Sequence, residues 1–247
     1  MNAVAPNVVW HDVECGGYAA DLGIWEEMAI ASTGPVLELG CGSGRVALHL
    51  ARRGHAVQGL DLTPELVAAF NARAAELPAS AAAGDARAFE LNARFGLILA
   101  PMQFMQLLPS REERIACLSS VHSHLEPGGR VAVAIAEAVL GGESYQAGSA
   151  ATVLPDTQEV DGWIYSSLPL ETVVGDEEIL VRRLRQTVSP SGDLEEAVDD
   201  VRLHVLEAEA VEAEATAAGL WPAGRRSISA TELHVGSTVV MLESDSR

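Results

Sequence analysis

Val36-Leu37-Glu38-Leu39-Gly40-Cys41-Gly42-Ser43-Gly44-Arg45 is the stretch whose reading decides the fold. Pro35 marks a start, and the short apolar run of Val36, Leu37 and Leu39 reads as a buried parallel strand. Gly40, Gly42 and Gly44 then bend the backbone before a helical pattern opens at Val46. Glycine suits such a turn because φ can turn positive and no Cβ blocks a ligand lying on the backbone. A strand, a glycine turn and a helix N-terminus together make a nucleotide-sized cradle in an open α/β sheet.

The dinucleotide fingerprint G-x-G-x-x-G needs a glycine at position 45, where this chain has Arg45. Glu38, two residues before the first glycine, would repel a pyrophosphate but suits the cationic amino-acid end of S-adenosylmethionine. Glu38-Leu39-Gly40-Cys41-Gly42-Ser43-Gly44 resembles motif I of the class I S-adenosylmethionine-dependent methyltransferases.

Working outward, Ala56 to Asp61 reads as a second strand ending in a carboxylate. A strand-end acid behind a glycine turn can accept hydrogen bonds from both ribose hydroxyls, although such an Asp also serves as a helix cap. Thr63 and Pro64 open the next helix, expected to run to Leu77. Ala79 to Ala83 is a third strand of small residues, closed by Gly84-Asp85-Ala86. Phe95 to Ala100 is a fourth, apolar enough to be central, and it runs into Pro101-Met102-Gln103-Phe104. A helix from Pro109 to Leu125, the turn Leu125-Glu126-Pro127-Gly128-Gly129 and a fifth strand over 130–136 complete the parallel run. His122 and His124, two apart on that helix, do not share a face, so no metal site is expected.

Residues 138–157 read as a connection, followed by three strand-forming segments at 163–174, 179–188 and 195–206. Arg182, Arg183, Arg185 and Arg202 alternate there with acids, which points to cross-strand ion pairs. A helix over 207–219 and two strands, 221–230 and 233–242, end the chain. The expected fold is α/β: a Rossmann-like, seven-stranded, mostly parallel sheet with its last strand antiparallel, helices on both faces, and a small antiparallel β insertion. One domain is expected over 1–247, divided into an N-terminal arm and helix (1–34), a cofactor-binding half (35–137), a connection with its β cap (138–206) and a final helix with β-hairpin (207–247). Residues 1–16 show no clear periodic element.

Composition narrows the function. The net charge of −19 disfavours a nucleic-acid backbone or an anionic membrane as partner. Lysine is absent, which removes P-loop hydrolysis and Schiff-base chemistry. Three widely spaced cysteines imply no disulfide framework, and no leader of basic then apolar residues is visible, so a cytoplasmic setting is expected. The acidic chain allows a homodimer and favours a small-molecule acceptor.

The resemblance implies S-adenosylmethionine as methyl donor and S-adenosylhomocysteine as product. It places Glu38, Gly40, Cys41, Gly42, Gly44, Asp61 and Leu62 on the cofactor, with Asp85 and Ala86 at the adenine and Tyr18, Ala100 and Gln106 completing the pocket. Gln103 and Phe104, and more weakly Tyr145, Tyr165 and His204, are candidates for lining the acceptor pocket. Ala-Pro-Met-Gln after the fourth strand departs from the acidic or Asn residue followed by Pro-Pro-aromatic of the nucleic-acid and protein amide methyltransferases, which leans toward small molecules. The donor is already activated, so placing two reactants in line is the main task. Glu137 is the acid best placed to take a proton or hold an amine, and otherwise simply begins a loop. Two other classes remain open: a non-catalytic S-adenosylmethionine-binding subunit, and a nicotinamide-dependent oxidoreductase, which Arg45 and Glu38 disfavour.

Overall fold

A computed structural model describes residues 4–137, 145–146, 154–231 and 234–244. In chain order it begins with helix α1 (Pro6–Cys15), helix α2 (Leu22–Ala31), strand β1 (Val36–Leu39), helix α3 (Arg45–Ala51), strand β2 (Val57–Asp61) and helix α4 (Pro64–Arg73). Strands β3 (Ala79–Ala83) and β4 (Phe95–Ala100), a 3₁₀ turn (Phe104–Leu107), helix α5 (Arg111–His124) and strand β5 (Leu125–Ile135) follow. Next come strands β6 (Tyr145–Gln146), β7 (Asp156–Val160), β8 (Trp163–Val174), β9 (Glu178–Val188) and β10 (Leu194–His204). Helix α6 (Ala208–Ala217) and strands β11 (Leu220–Ile228) and β12 (Ser237–Ser244) close the chain. The elements fall into two compact units: residues 19–138 with 206–247, and residues 1–18 with 139–205.

The larger unit is the expected seven-stranded sheet, ordered β3-β2-β1-β4-β5-β12-β11. Neighbours from β3 to β5 run parallel; β12 is antiparallel to both β5 and β11. Alternation along each strand sends side chains to opposite faces. Leu37, Leu39, Ile98, Val131 and Val133 meet Leu118 and Val121 of α5 and Val211 of α6 on one face. Val36, Leu97, Leu99 and Ala132 meet Trp25 of α2, Val46 and Leu50 of α3, and Phe70 of α4 on the other. Local chemistry sets several boundaries. Pro64 takes the first position of α4. The Ser110 hydroxyl accepts the Glu113 N–H at the start of α5, where Ser-x-x-Glu spells a capping box. Helix α5 is joined to α6 by the buried pair Arg114–Glu214, at 2.9 and 2.7 Å.

The smaller unit is a five-stranded antiparallel sheet in which β8, β9 and β10 form the anticipated meander, with α1 packed on it. The arginines are paired as their alternation implied: Arg182 with Asp200 and Glu171, Arg183 with Asp156, Arg185 with Glu14 and Asp199, and Arg202 with Glu178. Helix α1 and strand β7 are among the elements that exceed the sequence reading. Pro6–Cys15 is helical because Val8, Val9 and Val13 make a short apolar stripe behind a proline at its start. Strand β7 pairs with β8 through Asp161-Gly162, both with positive φ, the two-residue hairpin that Asp-Gly favours. Among the described residues, no helix is long and apolar enough to cross a membrane.

Candidate active site

In the larger sheet the strand order reverses at β1, which lies between β2 and β4; open α/β sheets bind ligands at the carboxyl ends of strands at such a point. There the chain leaves β1 through Gly40, Gly42 and Gly44, with φ of 63°, 53° and 104°. A Cβ on Gly40 would stand 2.5 Å from the Phe104 ring, so the turn and the segment after β4 pack face to face only because this residue has no side chain. The Cys41 N–H donates to the Leu60 carbonyl, and its buried sulfur lies over Gly59, where any Cβ would meet Sγ at 2.5 Å. Burial and nearby Glu38 push the Cys41 thiol well up, which keeps it a neutral packing group.

Asp61 ends β2 beside this turn and organises it. One carboxylate oxygen accepts the Gly42 N–H at 2.8 Å and the other the Thr63 N–H at 2.9 Å. A carboxylate offers about four lone-pair sites. Both oxygens of the half-buried group therefore keep capacity for further donors such as hydroxyls. Leu62, next along, is a large apolar side chain left exposed at this rim.

Beneath the turn lies a buried charged cluster. Glu38, facing α3 from β1, is 3% exposed, and its carboxylate accepts the Ala47 N–H at 2.7 Å in the first turn of α3. Burial pushes its carboxyl up to about 8, partly countered by the Arg45 guanidinium and the Ala47 N–H. Arg45 in turn donates to both oxygens of Asp21, at 2.6 and 2.7 Å, and the Trp25 indole N–H donates to the same carboxylate at 2.9 Å. Asp21 is 1% exposed and Trp25 fully buried. From the sequence Arg45 stood out only as a missing glycine, and Asp21 was given no role. Neither residue's spacing carries a signal, because the contact spans 24 positions.

The rim after β4 is strained. Ala100 is buried, and Met102 and Gln103, with φ of 45° and 52°, occupy the left-handed region that side chains disfavour. Gln106 is fully buried and its carboxamide oxygen accepts the Ala136 N–H at 2.8 Å, tying the 3₁₀ turn to the end of β5. Glu137 lies just past β5, and one of its oxygens accepts the Ala208 N–H at 2.6 Å, at the N-terminus of α6. That bond gives Glu137 a helix-capping task.

Asp85 and Ala86 follow β3, whose end is joined to β2 by the Gly84 N–H on the Asp61 carbonyl. The Asp85 carboxylate accepts from the backbone and guanidinium of Arg87, which also holds Glu113; these bonds lower its pKa. Ala86 is buried. The structure thus brings together Glu38, Gly40, Cys41, Gly42, Gly44, Asp61, Leu62, Ala100, Gln103 and Phe104, with Asp85 and Ala86 one strand further out. Tyr18, Tyr165 and His204 belong to the smaller unit. There Tyr18 is buried and Tyr165 packs edge-on against Trp10 at 5.3 Å. The Tyr145 side chain falls outside the described residues.

With this geometry in view, residues 36–129 match the family model described as a methyltransferase domain. The match runs from β1 into β5, whose strand already begins at Leu125 where a turn was expected, and so contains the glycine turn, Asp61, Asp85 and the rim after β4. Among curated proteins, hemagglutinin 1 of Eikenella corrodens is 37% identical over 95 residues, 38% of this chain and 31% of that protein. The dTDP-3-amino-3,4,6-trideoxy-alpha-D-glucopyranose N,N-dimethyltransferase of Streptomyces venezuelae is 31% identical over 98 residues, 40% of each. The chain thus spans well under half the length of either relative. Among solved structures, S-adenosylmethionine-bound CalS10, an amino pentose methyltransferase from Micromonospora echinaspora, superposes with a TM-score of 0.68 at 18% identity, over 98% of this chain and 99% of that one. The fold of the larger unit is therefore the Rossmann-like fold expected from the sequence.

Proposed function

We propose that the chain transfers a methyl group from S-adenosylmethionine to an amine nitrogen of a small molecule. The observation that carries this reading is the pairing of a side-chain-free, left-handed turn at Gly40, Gly42 and Gly44 with the Asp61 carboxylate beside it. The residues fit the cofactor. The glycine turn presents backbone free of bulky side chains to an amino-acid moiety, Asp61 has acceptor capacity for the ribose hydroxyls, and Leu62 offers an apolar surface to the nucleoside. Glu38 anchors the first turn of α3 beneath the glycines through the Ala47 N–H, and Ala86 with Asp85 stands at the edge of β3 for the base. The similarity of residues 36–129 to a methyltransferase domain and to part of an amino-sugar dimethyltransferase supports both the donor and the nitrogen acceptor.

The cofactor supplies an activated methyl on a sulfonium, so the amine lone pair forms the new N–C bond as the C–S electron pair returns to sulfur. The protein's share is to hold two reactants in line and keep water out. Gln103 and Phe104, at the strained rim after β4, are the residues we assign to the acceptor side. Glu137 is engaged at the N-terminus of α6, and the proton released from the methylated amine leaves to solvent in this reading. A soluble cytoplasmic enzyme acting on metabolites accords with the strong negative charge.

Parallel calorimetric titrations with S-adenosylmethionine, S-adenosylhomocysteine and NADH test the reading. Binding of both sulfur nucleosides below about millimolar, roughly 4 kcal/mol of affinity or more, with none for NADH, is the expected result. Failure of both sulfur nucleosides to bind overturns it. An acceptor screen of amino sugars and other small amines, read by S-adenosylhomocysteine release, then identifies the nucleophile.

A further inference from the structure

We infer that Asp21, Arg45 and Trp25 are positioning residues for the cofactor: a buried brace that fixes the far end of the glycine turn to helix α2. The inference rests on the proposed role of that turn. Gly40 to Gly44 carries little side chain with which to hold itself in place, and its left-handed glycines are free to relax in many directions. Its near end is pinned by β1 and by Asp61 on the Gly42 N–H. Its far end is Arg45, the first residue of α3, directly after left-handed Gly44.

Arg45 is gripped in a fork. Both Asp21 oxygens accept from its guanidinium, and the Trp25 N–H closes the third side. A planar fork fixes direction as well as distance. Glu38 holds the same turn of α3 from the β1 side through Ala47. Between them, α3 is held from strand and from helix, and the turn that links it to β1 has one shape. Removing Asp21's charge leaves a buried guanidinium without its bidentate partner and lets α3 shift. A shift of about 1 Å at a preorganised site can cost up to about a hundredfold.

The protein contains its own control. Arg114–Glu214 is also a buried, two-bond arginine–carboxylate pair in the same unit, but it joins α5 to α6, and its further bond goes to the Leu108 carbonyl and not to the glycine turn. A purely structural role predicts that both pairs matter alike.

The experiment measures thermal stability and the calorimetric Kd for S-adenosylhomocysteine in the full chain and in Asp21→Asn, Trp25→Phe and Glu214→Gln, each well below its own Tm. We expect Asp21→Asn to weaken binding at least about tenfold, about 1.4 kcal/mol, and Trp25→Phe, which keeps the ring but drops the N–H, about threefold. Glu214→Gln should lower Tm while leaving Kd within about twofold. If the unmodified chain binds but Kd is unchanged in Trp25→Phe and in Asp21→Asn, or rises equally in Glu214→Gln, the brace is ordinary packing and the inference fails. If the unmodified chain does not bind, the reading of the turn itself fails, and the brace with it. Should Asp21→Asn not fold, Trp25→Phe decides the matter.

Discussion

The turn after β1 and the turn after β4 both leave the sheet through left-handed backbone, and they meet where the Phe104 ring covers Gly40. The first places Gly40, Gly42 and Gly44 at its positive-φ positions; the second forces Met102 and Gln103 into the same region. Glycine adopts that conformation at no steric cost, whereas a residue with a side chain gives up about 1–3 kcal/mol. One turn is therefore shaped by its own composition. The other is shaped by its surroundings: by Phe104 packed against Gly40, and by Gln106 bonded to the Ala136 N–H. A turn that owes its shape to composition breaks when its residues change, and a turn held by its neighbours should gain stability when its strain is relieved.

The largest effect is expected at the hinge of the first turn. Asp61→Ala removes the acceptor of the Gly42 and Thr63 N–H groups and, in the proposed reading, the ribose anchor. Cofactor binding should weaken by a hundredfold or more, roughly 3 kcal/mol, when charge-assisted bonds of this kind are lost. An unchanged calorimetric Kd in a folded variant would remove Asp61 from the site. Close behind comes Gly40→Ala, whose methyl group must displace the Phe104 ring 2.5 Å away and adopt a φ of 63°. Loss of about 2 kcal/mol of stability is the expected cost, seen as a Tm lower by several degrees, with cofactor affinity falling too. A variant as stable as the parent would show that Phe104 moves freely.

How much of this was readable follows from the same contrast. The glycine turn, β1 and Asp61 announce themselves because glycine spacing, an apolar run and a strand-end acid are local signals, and the seven-stranded sheet followed from them with its reversed last strand. Strand β3, all small residues, was also placed correctly, since its flanking turns bound it. The strain at Met102 and Gln103 was invisible: no residue type marks a conformation imposed by tertiary contacts. The Asp21–Arg45–Trp25 brace was equally hidden, because Arg45 lies on a separate helix, 24 positions from Asp21. Gln106 and Glu137 were read as ligand-facing by their position near strand ends, and the structure gives each a bond to a backbone N–H of the protein. Helix α1 escaped notice since its ten residues hold too few apolar positions to establish a period.

Glu38 sharpens the comparison through pH. It underlies the glycine turn, and burial moves its carboxyl from an ordinary value of 4.5 up to about 8. The unfolded chain ionises this group near the lower value, so between the two the folded protein holds a proton that the unfolded chain has released. Its contribution to stability is greatest below the unfolded value, falls as pH rises from about 4.5 to about 8, and is level above. Glu38→Gln keeps an oxygen for the Ala47 N–H and cannot ionise. The Tm of the variant relative to the parent should therefore climb from pH 5 to pH 8.5, two buffers chosen to bracket roughly that window. A difference that stays flat with pH would show that Glu38 is ionised throughout, held so by Arg45.

The smallest effect, and the one that most directly probes the second turn, is expected from Gln103→Gly. Its φ of 52° suits glycine without strain, so the folded state is relieved of about 1–3 kcal/mol. Against this, glycine adds backbone freedom to the unfolded chain, worth about 0.5–1 kcal/mol. The net should be a stabilisation of about 1 kcal/mol, a Tm raised by about 2–4 °C. Activity separates the side chain from the backbone. A higher Tm with kcat/KM unchanged assigns Gln103 a purely conformational presence at the rim. A higher Tm with a raised KM for the acceptor assigns its carboxamide to acceptor binding, and the strain then marks a side chain held in place for use. A Tm that does not rise would mean that the segment around Met102 already bends to absorb the cost, and the contrast between a turn shaped by glycine and a turn shaped by its neighbours would not hold.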